Sequence, residues 1–192
     1  MKLLSLFLIR TIMVFALLAC TSSKHSISSE GREASPSAVV ESFVHEFFEG
    51  HVTNLDAFLN KYTDWPDFGP GDSRWIARRL SIRQLTQTEK VAMVEVTYQV
   101  VGEESLGKFD IHEHEDVQVY ALERRQNHWR IVEPIHMPYI SVTAAMNTLR
   151  RSITFASARI EERSFTAVET EEYFRNLLEN AKVSLATMDR YR

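Results

Sequence analysis

An α+β domain is the fold class this chain predicts, on three observations. Apolar residues recur at helical spacing between Pro36 and Tyr62. They alternate at strand spacing in Val91–Val101 and again through Val117–His136. From Ser141 onward the period is helical once more.

The first helix has a clear start. Ser35 can cap it and Pro36 suits the first helical position. Val40, Phe43, Val44, Phe47 and Phe48 then step along one buried face, and Gly50 can end the helix. Thr53 with Asp56 reads as a capping box for a second helix carrying Leu55, Phe58, Leu59 and Tyr62. A loop over 63–72 holds Asp64, Trp65-Pro66 and Phe68-Gly69-Pro70-Gly71. Ser73–Arg79 reads as a short helical turn with Trp75 and Ile76, and Leu80–Leu85 as a short first strand. Val91–Val101 is a longer strand, with Ala92, Val94, Val96, Tyr98 and Val100 on one face. Gly102–His114 reads as a polar connection. Val117–Arg124 and His128–His136 form a hairpin turning near Arg125-Gln126-Asn127, and Pro134 and Pro138 bend or expose the end of its second strand. Val142, Ala145, Met146, Leu149, Ile153, Ala156 and Ile160 make a narrow stripe on one long helix. After a turn at Ser164–Glu169, Thr170 can cap another, with Phe174, Leu177, Leu178, Ala181, Leu185 and Met188 as its stripe.

The N-terminus is a separate matter. Lys2 precedes an apolar run from Leu3 to Leu18, and small residues follow, as in a secretory signal. Residues 1–19 are assigned to that signal, 20–34 to a Ser-rich flexible tether, 35–140 to the α+β domain and 141–192 to a C-terminal helical extension. Leu17-Leu18-Ala19-Cys20 resembles the lipobox of bacterial lipoproteins. The resemblance implies cleavage before Cys20, a diacylglycerol on its sulfur and an acyl chain such as palmitate on its amine. Each buried CH₂ of such chains contributes about 0.8 kcal/mol to membrane attachment. Thr21 stands where Asp would favour retention in the inner membrane, so the resemblance implies the outer membrane, facing the periplasm.

Charge and cysteine content exclude some classes. The precursor carries a net charge of -4. Without Lys2 and Arg10 it has 20 basic and 26 acidic residues, a net of -6. An acidic protein is poorly suited to non-specific nucleic-acid binding. Cys20 is the sole cysteine, which leaves no disulfide, no cysteine nucleophile and no cysteine metal site.

The order of elements resembles the nuclear transport factor 2-like superfamily, which includes SnoaL-like proteins. The residues that carry the resemblance are Val39-Val40, Phe43 and Phe47-Phe48; Val94-Glu95-Val96 and Tyr98; and Tyr120-Ala121-Leu122-Glu123 with Trp129-Arg130-Ile131-Val132. It spans about Ser35 to Ile140 and implies a cone-shaped domain, a curved and mostly antiparallel sheet around the first helix, with a ligand pocket at its mouth. The C-terminal helical pair departs from that pattern.

Within such a cone, strand alternation and the adjoining loop make Tyr62, Trp65, Trp75, Tyr98, Tyr120, Glu133 and His136 candidate lining residues, with Asp64 beside them. His45-Glu46-Phe47-Phe48-Glu49 lacks the second His of a zinc helix, because Glu49 occupies that place. His112 and His114 are two apart and could share a divalent ion on one strand face. No third ligand stands at motif spacing, and the simpler reading of His112–Asp116 is a wet hairpin tip. No catalytic residue, metal or cofactor is assigned. The expectation is a lipid-anchored envelope protein acting as a non-enzymatic small-ligand-binding or accessory module. The alternative is an isomerase- or dehydratase-like enzyme using a carboxylate or His in the cone. The expected partners are the membrane, a small molecule, and a protein or second copy through 141–192, with no nucleic acid.

Overall fold

The structure is a computed structural model that describes residues 34–65, 73–163, 165–166 and 170–192. The signal segment, Cys20, the tether through residue 33, the loop over 66–72, and Ser164 and 167–169 of the expected turn lie outside the described residues. Among the described residues no helix is long and apolar enough to cross a membrane.

Helix α1 (Pro36–Phe48) begins where the sequence places it. Ser35 Oγ accepts from the Ala38 amide, and Pro36 occupies the first turn. It ends on Gly50 at φ +71°, with Gly50 N–H donating to Phe47 and His51 N–H to Glu46, a Schellman closure. Helix α2 (Leu55–Tyr62) is capped by Asn54, not by the expected Thr53: Asn54 Oδ1 accepts from Ala57 N–H. Asn is the stronger cap, and one residue's shift brings it to the helix start.

Five strands follow: β1 (Ser73–Gln87), β2 (Val91–Ser105), β3 (Lys108–Arg125), β4 (His128–Glu133) and β5 (Ile140–Ser141). Their order in one sheet is β4-β3-β2-β1-β5; β5 joins β1 in parallel and the other pairs are antiparallel. The sheet curls into a half-barrel around α1. Two-residue turns close two of its three hairpins, Leu106-Gly107 (φ 49° and 80°) between β2 and β3 and Gln126-Asn127 (φ 48° and 66°) between β3 and β4. Left-handed residues at both turn positions match the twist of the strands they join.

Three sequence expectations are corrected here. Ser73–Arg79 is strand, not a helical turn, and Leu80–Leu85 is only the middle of it. Register shifts at Ile76, Ala77 and Arg79 break the alternation by which a strand is recognised. Gly102–His114 is the end of β2, a tight turn and the start of β3, not a connection. The run His112–Asp116 therefore lies within β3 and not at a hairpin tip. The β3–β4 hairpin stands, but β4 stops at Glu133 because Pro134 has no N–H with which to extend the ladder.

The sheet buries residues on both faces. Against α1 and α2 it sets Ala77, Val94, Val96, Tyr98, Tyr120 and Leu122, packed on Val40, Phe43, Val44 and Phe58. On the other face, Ile76, Val101 and Phe109 meet the two C-terminal helices, α3 (Val142–Glu162) and α4 (Glu171–Met188). Ser141 and Thr170 cap these helices. Val142, Ala145, Met146 and Leu149 of the expected stripe are buried there, with Ala181 and Met188. A 3-10 turn, Asp189–Tyr191, ends the chain's regular structure.

Candidate functional site

A cleft of about 870 Å³ opens between β3 and the segment 134–139 that leads into β5. Its walls include Phe47, Leu55, Trp75, Asp116, Gln118, His136, Met137 and Tyr139. Mostly apolar walls with a few convergent polar groups are what a small-molecule site requires.

Sheet geometry explains the polar groups. Asp116, Gln118 and Tyr120 alternate along β3, so they share the concave face, and Tyr98 of β2 lies opposite Asp116. The Tyr139 hydroxyl donates to Asp116 Oδ2 at 2.8 Å. Gln118 Nε2 approaches the same oxygen at 3.4 Å, while its Oε1 accepts from the Tyr120 hydroxyl at 3.0 Å. The Tyr98 and Tyr120 hydroxyls are 3.5 Å apart. This chain runs from the open cleft into the core, where Tyr98 and Tyr120 are fully buried. Buried polar groups need such partners. Both contacts to Asp116 fall on Oδ2, so Oδ1 has no protein hydrogen bond among the described residues.

Burial governs how these tyrosines titrate. Loss of solvent raises the pKa of Tyr98 and Tyr120 far above the ordinary range, because the phenolate would be charged inside the core. Tyr139 is pushed up to about 12, chiefly by burial and then by its bond to Asp116. All three are neutral donors at physiological pH and cannot serve as bases there.

Aromatic rings complete one wall. Tyr139 lies 4.5 Å from Tyr98 and 6.1 Å from Trp75, centre to centre, and His114 meets Trp75 edge-on at 5.8 Å. His112 lies 6.3 Å from the same indole. Among the described residues no three His, Cys, Asp or Glu side chains converge as a metal site would need.

The residues singled out from sequence are dispersed. Trp75 and His136 border the cleft, and Tyr98 and Tyr120 lie behind it. Trp65 is half-buried and packs edge-on against Phe43 at 5.8 Å, at the rim of the core. Glu133 is exposed at the end of β4, outside the cleft lining. Tyr62 and Asp64 belong to a second hollow with Arg125 and Arg130. There the Arg130 guanidinium donates to the carbonyls of Asn60, Lys61 and Thr63 and pairs with Asp64. That set satisfies the carbonyls left open at the end of α2, which is a structural task. Sequence reasoning missed Asp116, Gln118 and Tyr139. The spacing Asp116, Gln118, Tyr120 carried a signal for the first two, since side chains two apart share a face.

Comparison with known protein families, curated proteins and solved structures finds no match for this chain. The fold and cleft define it as an α+β half-barrel protein with an aromatic-walled cleft.

Proposed function

We propose that this is a lipid-anchored envelope protein of the nuclear transport factor 2-like kind, and that its cleft binds a small ligand without turning it over. The observation that carries the binding reading is the aromatic wall of Trp75 and Tyr139 beside Asp116, whose Oδ1 has no protein hydrogen bond among the described residues. A ligand with a flat apolar body and a hydrogen-bond donor suits that wall. Burial keeps these tyrosines neutral, which leaves Asp116 as the group that would accept a hydrogen bond from a ligand.

The anchor reading rests on Leu17-Leu18-Ala19-Cys20. Its test is the mass of the mature N-terminus and the partitioning of Cys20→Ala between detergent and water. An unmodified thiol, or unchanged partitioning of the variant, refutes it. A protein partner reaching 141–192 would meet the exposed Phe155, Tyr173 and Val183.

The binding reading is tested by titrating a fragment library while recording saturation-transfer NMR and the Trp75 indole resonance. Ligands should move that resonance, and Asp116→Asn should weaken them about tenfold, in line with losing a charged hydrogen-bond acceptor. Binders that ignore both Trp75 and Asp116 would place the site elsewhere. The enzyme alternative, an isomerase or dehydratase, is favoured by the same open oxygen on Asp116, which could take a proton from carbon. Turnover of a bound carbonyl compound, abolished in Asp116→Asn, would establish it over simple binding.

A further inference from the structure

Four consecutive residues, Asp116-Val117-Gln118-Val119, line the cleft. Alternate side chains of a strand point to opposite faces, so what faces the cleft is also the strand's edge. The direction of the backbone groups follows from one bond. The Arg124 N–H donates to the Lys90 carbonyl, on the β2 side. The register with β2 runs without interruption from Glu123 to His114, so even-numbered residues of β3 bond β2 and odd-numbered ones point away. Glu115, Val117 and Val119 therefore present their N–H and C=O groups to the open side.

The fold covers that edge at both ends and leaves a gap between. Beyond it, β4 pairs with Ala121–Arg125. Before it, α4 lies over β3, and Ser184 Oγ accepts from the outward N–H of Phe109 at 2.8 Å. Among the described residues no strand pairs with the outer side of Glu115–Val119, and none of those three backbones bonds the facing segment 134–139.

We propose that this gap takes an extended segment of another polypeptide as an added strand, a partner of a different class from the small ligand proposed for the aromatic wall. A span of about five residues covers the three outward groups, at about 3.3 Å per residue. Its side chains alternate as those of β3 do. Those on the outer face lie over Val117 and Val119, which favours Val or Ile. Those on the concave face meet the acidic side chain of Asp116, which favours Lys or Arg, and Glu115 adds a second acid on the outer face at the end of the span. Arg74, also in the cleft, is neutralised by Glu104 at 3.4 Å and does not oppose a basic segment. Acidic residues on an edge discourage pairing with a like strand. They have no such effect on a basic one.

The test uses the full chain and an acetylated, amidated peptide of alternating Lys and Val, about five residues long. Amide exchange at Val117 and Val119 should slow at least about tenfold on saturation. The same peptide N-methylated at alternate residues, which keeps charge and shape but loses donors, should bind at least about tenfold more weakly. Val117→Pro removes an outward N–H that has no backbone partner among the described residues, and proline is tolerated at such edge positions. Binding should then fall while the circular dichroism is unchanged; if that variant does not fold, the N-methylated peptide decides. Equal binding of the two peptides, or no protection at Val117 and Val119, overturns the proposal. So does protection already present without peptide, which would put a segment of this chain or a second copy on the edge. Fragments that shift Trp75 while the peptide leaves Val117 untouched would refute strand addition and spare the small-ligand reading; silence of Trp75 to fragments together with no peptide protection at Val117 would refute both.

Discussion

Gly102 shows how one missing carbon permits a fold. A Cβ built there would lie 2.1 Å from the Asp110 carbonyl oxygen and 2.6 Å from the Phe109 ring. The register shift between Val100 and Gly102 brings the two strands that close. Gly102→Ala should lower stability by about 3 kcal/mol, at the upper end for overpacking, because the nearest atom is backbone and cannot rotate away. Urea unfolding measures it, and a loss under about 0.5 kcal/mol would mean that the bulge relaxes freely. The tyrosine chain gives a prediction in pH. Tyr139 has a folded pKa of about 12 against an ordinary 10, and Tyr98 and Tyr120 move the same way. A group whose pKa rises on folding adds stability below its unfolded value and loses it as pH rises toward the folded one. Stability should therefore hold up to about pH 10 and decline between about 10 and 12, and Tyr139→Phe should reduce the steepness of that decline. Alkaline unfolding followed by circular dichroism, alongside phenolate absorbance, checks both points.

Among the elements, the β3 edge joins fold and site. Ser184→Ala removes the acceptor for the Phe109 amide, at a cost of about 1–2 kcal/mol, and should speed exchange at Phe109 while leaving Val119 as it was. Equal acceleration at both would mean that the edge opens as a unit. What could be read from the sequence divides along similar lines. Helices whose caps and stripes agree, Ser35 with Val40 and Phe43, or Thr170 with Phe174, were legible because their signals are local. The β3–β4 hairpin was legible from strong alternation on both sides of Gln126-Asn127. The start of β1 was not, because bulges at Ile76 and Ala77 shift its period. Leu106-Gly107 was missed as a turn because only one of its two left-handed positions holds a residue that prefers that conformation. The cleft was half legible. Trp75 and His136 were found, whereas Tyr139 lies between two prolines and a two-residue strand, where no periodicity exists to read.

At the scale of the whole molecule, the C-terminal helices divide into a half that belongs to the sheet and a half that does not. Near the sheet, Val142, Met146, Leu149, Ala181 and Met188 share a core with Ile76, Val101 and Phe109. Farther along, α3 and α4 hold each other through a separate aromatic cluster. Phe174 is fully buried there, with Phe155 at 5.8 Å, Phe165 at 6.0 Å and Tyr173 at 5.2 Å, and the Arg159 guanidinium sits 5.5 Å over its ring. Local stability follows local burial, so the two halves should open separately. Phe174→Ala removes the centre of the far cluster and should cost about 3 kcal/mol locally, or roughly 100-fold faster amide exchange in Thr154–Glu162. Exchange in Val142–Leu149 and in the strands should not change, because none of their core neighbours is lost. Hydrogen exchange resolved by residue separates the outcomes. If the sheet and the near half accelerate with the far one, the helical pair and the half-barrel are one cooperative body, and the far cluster holds the cleft in shape.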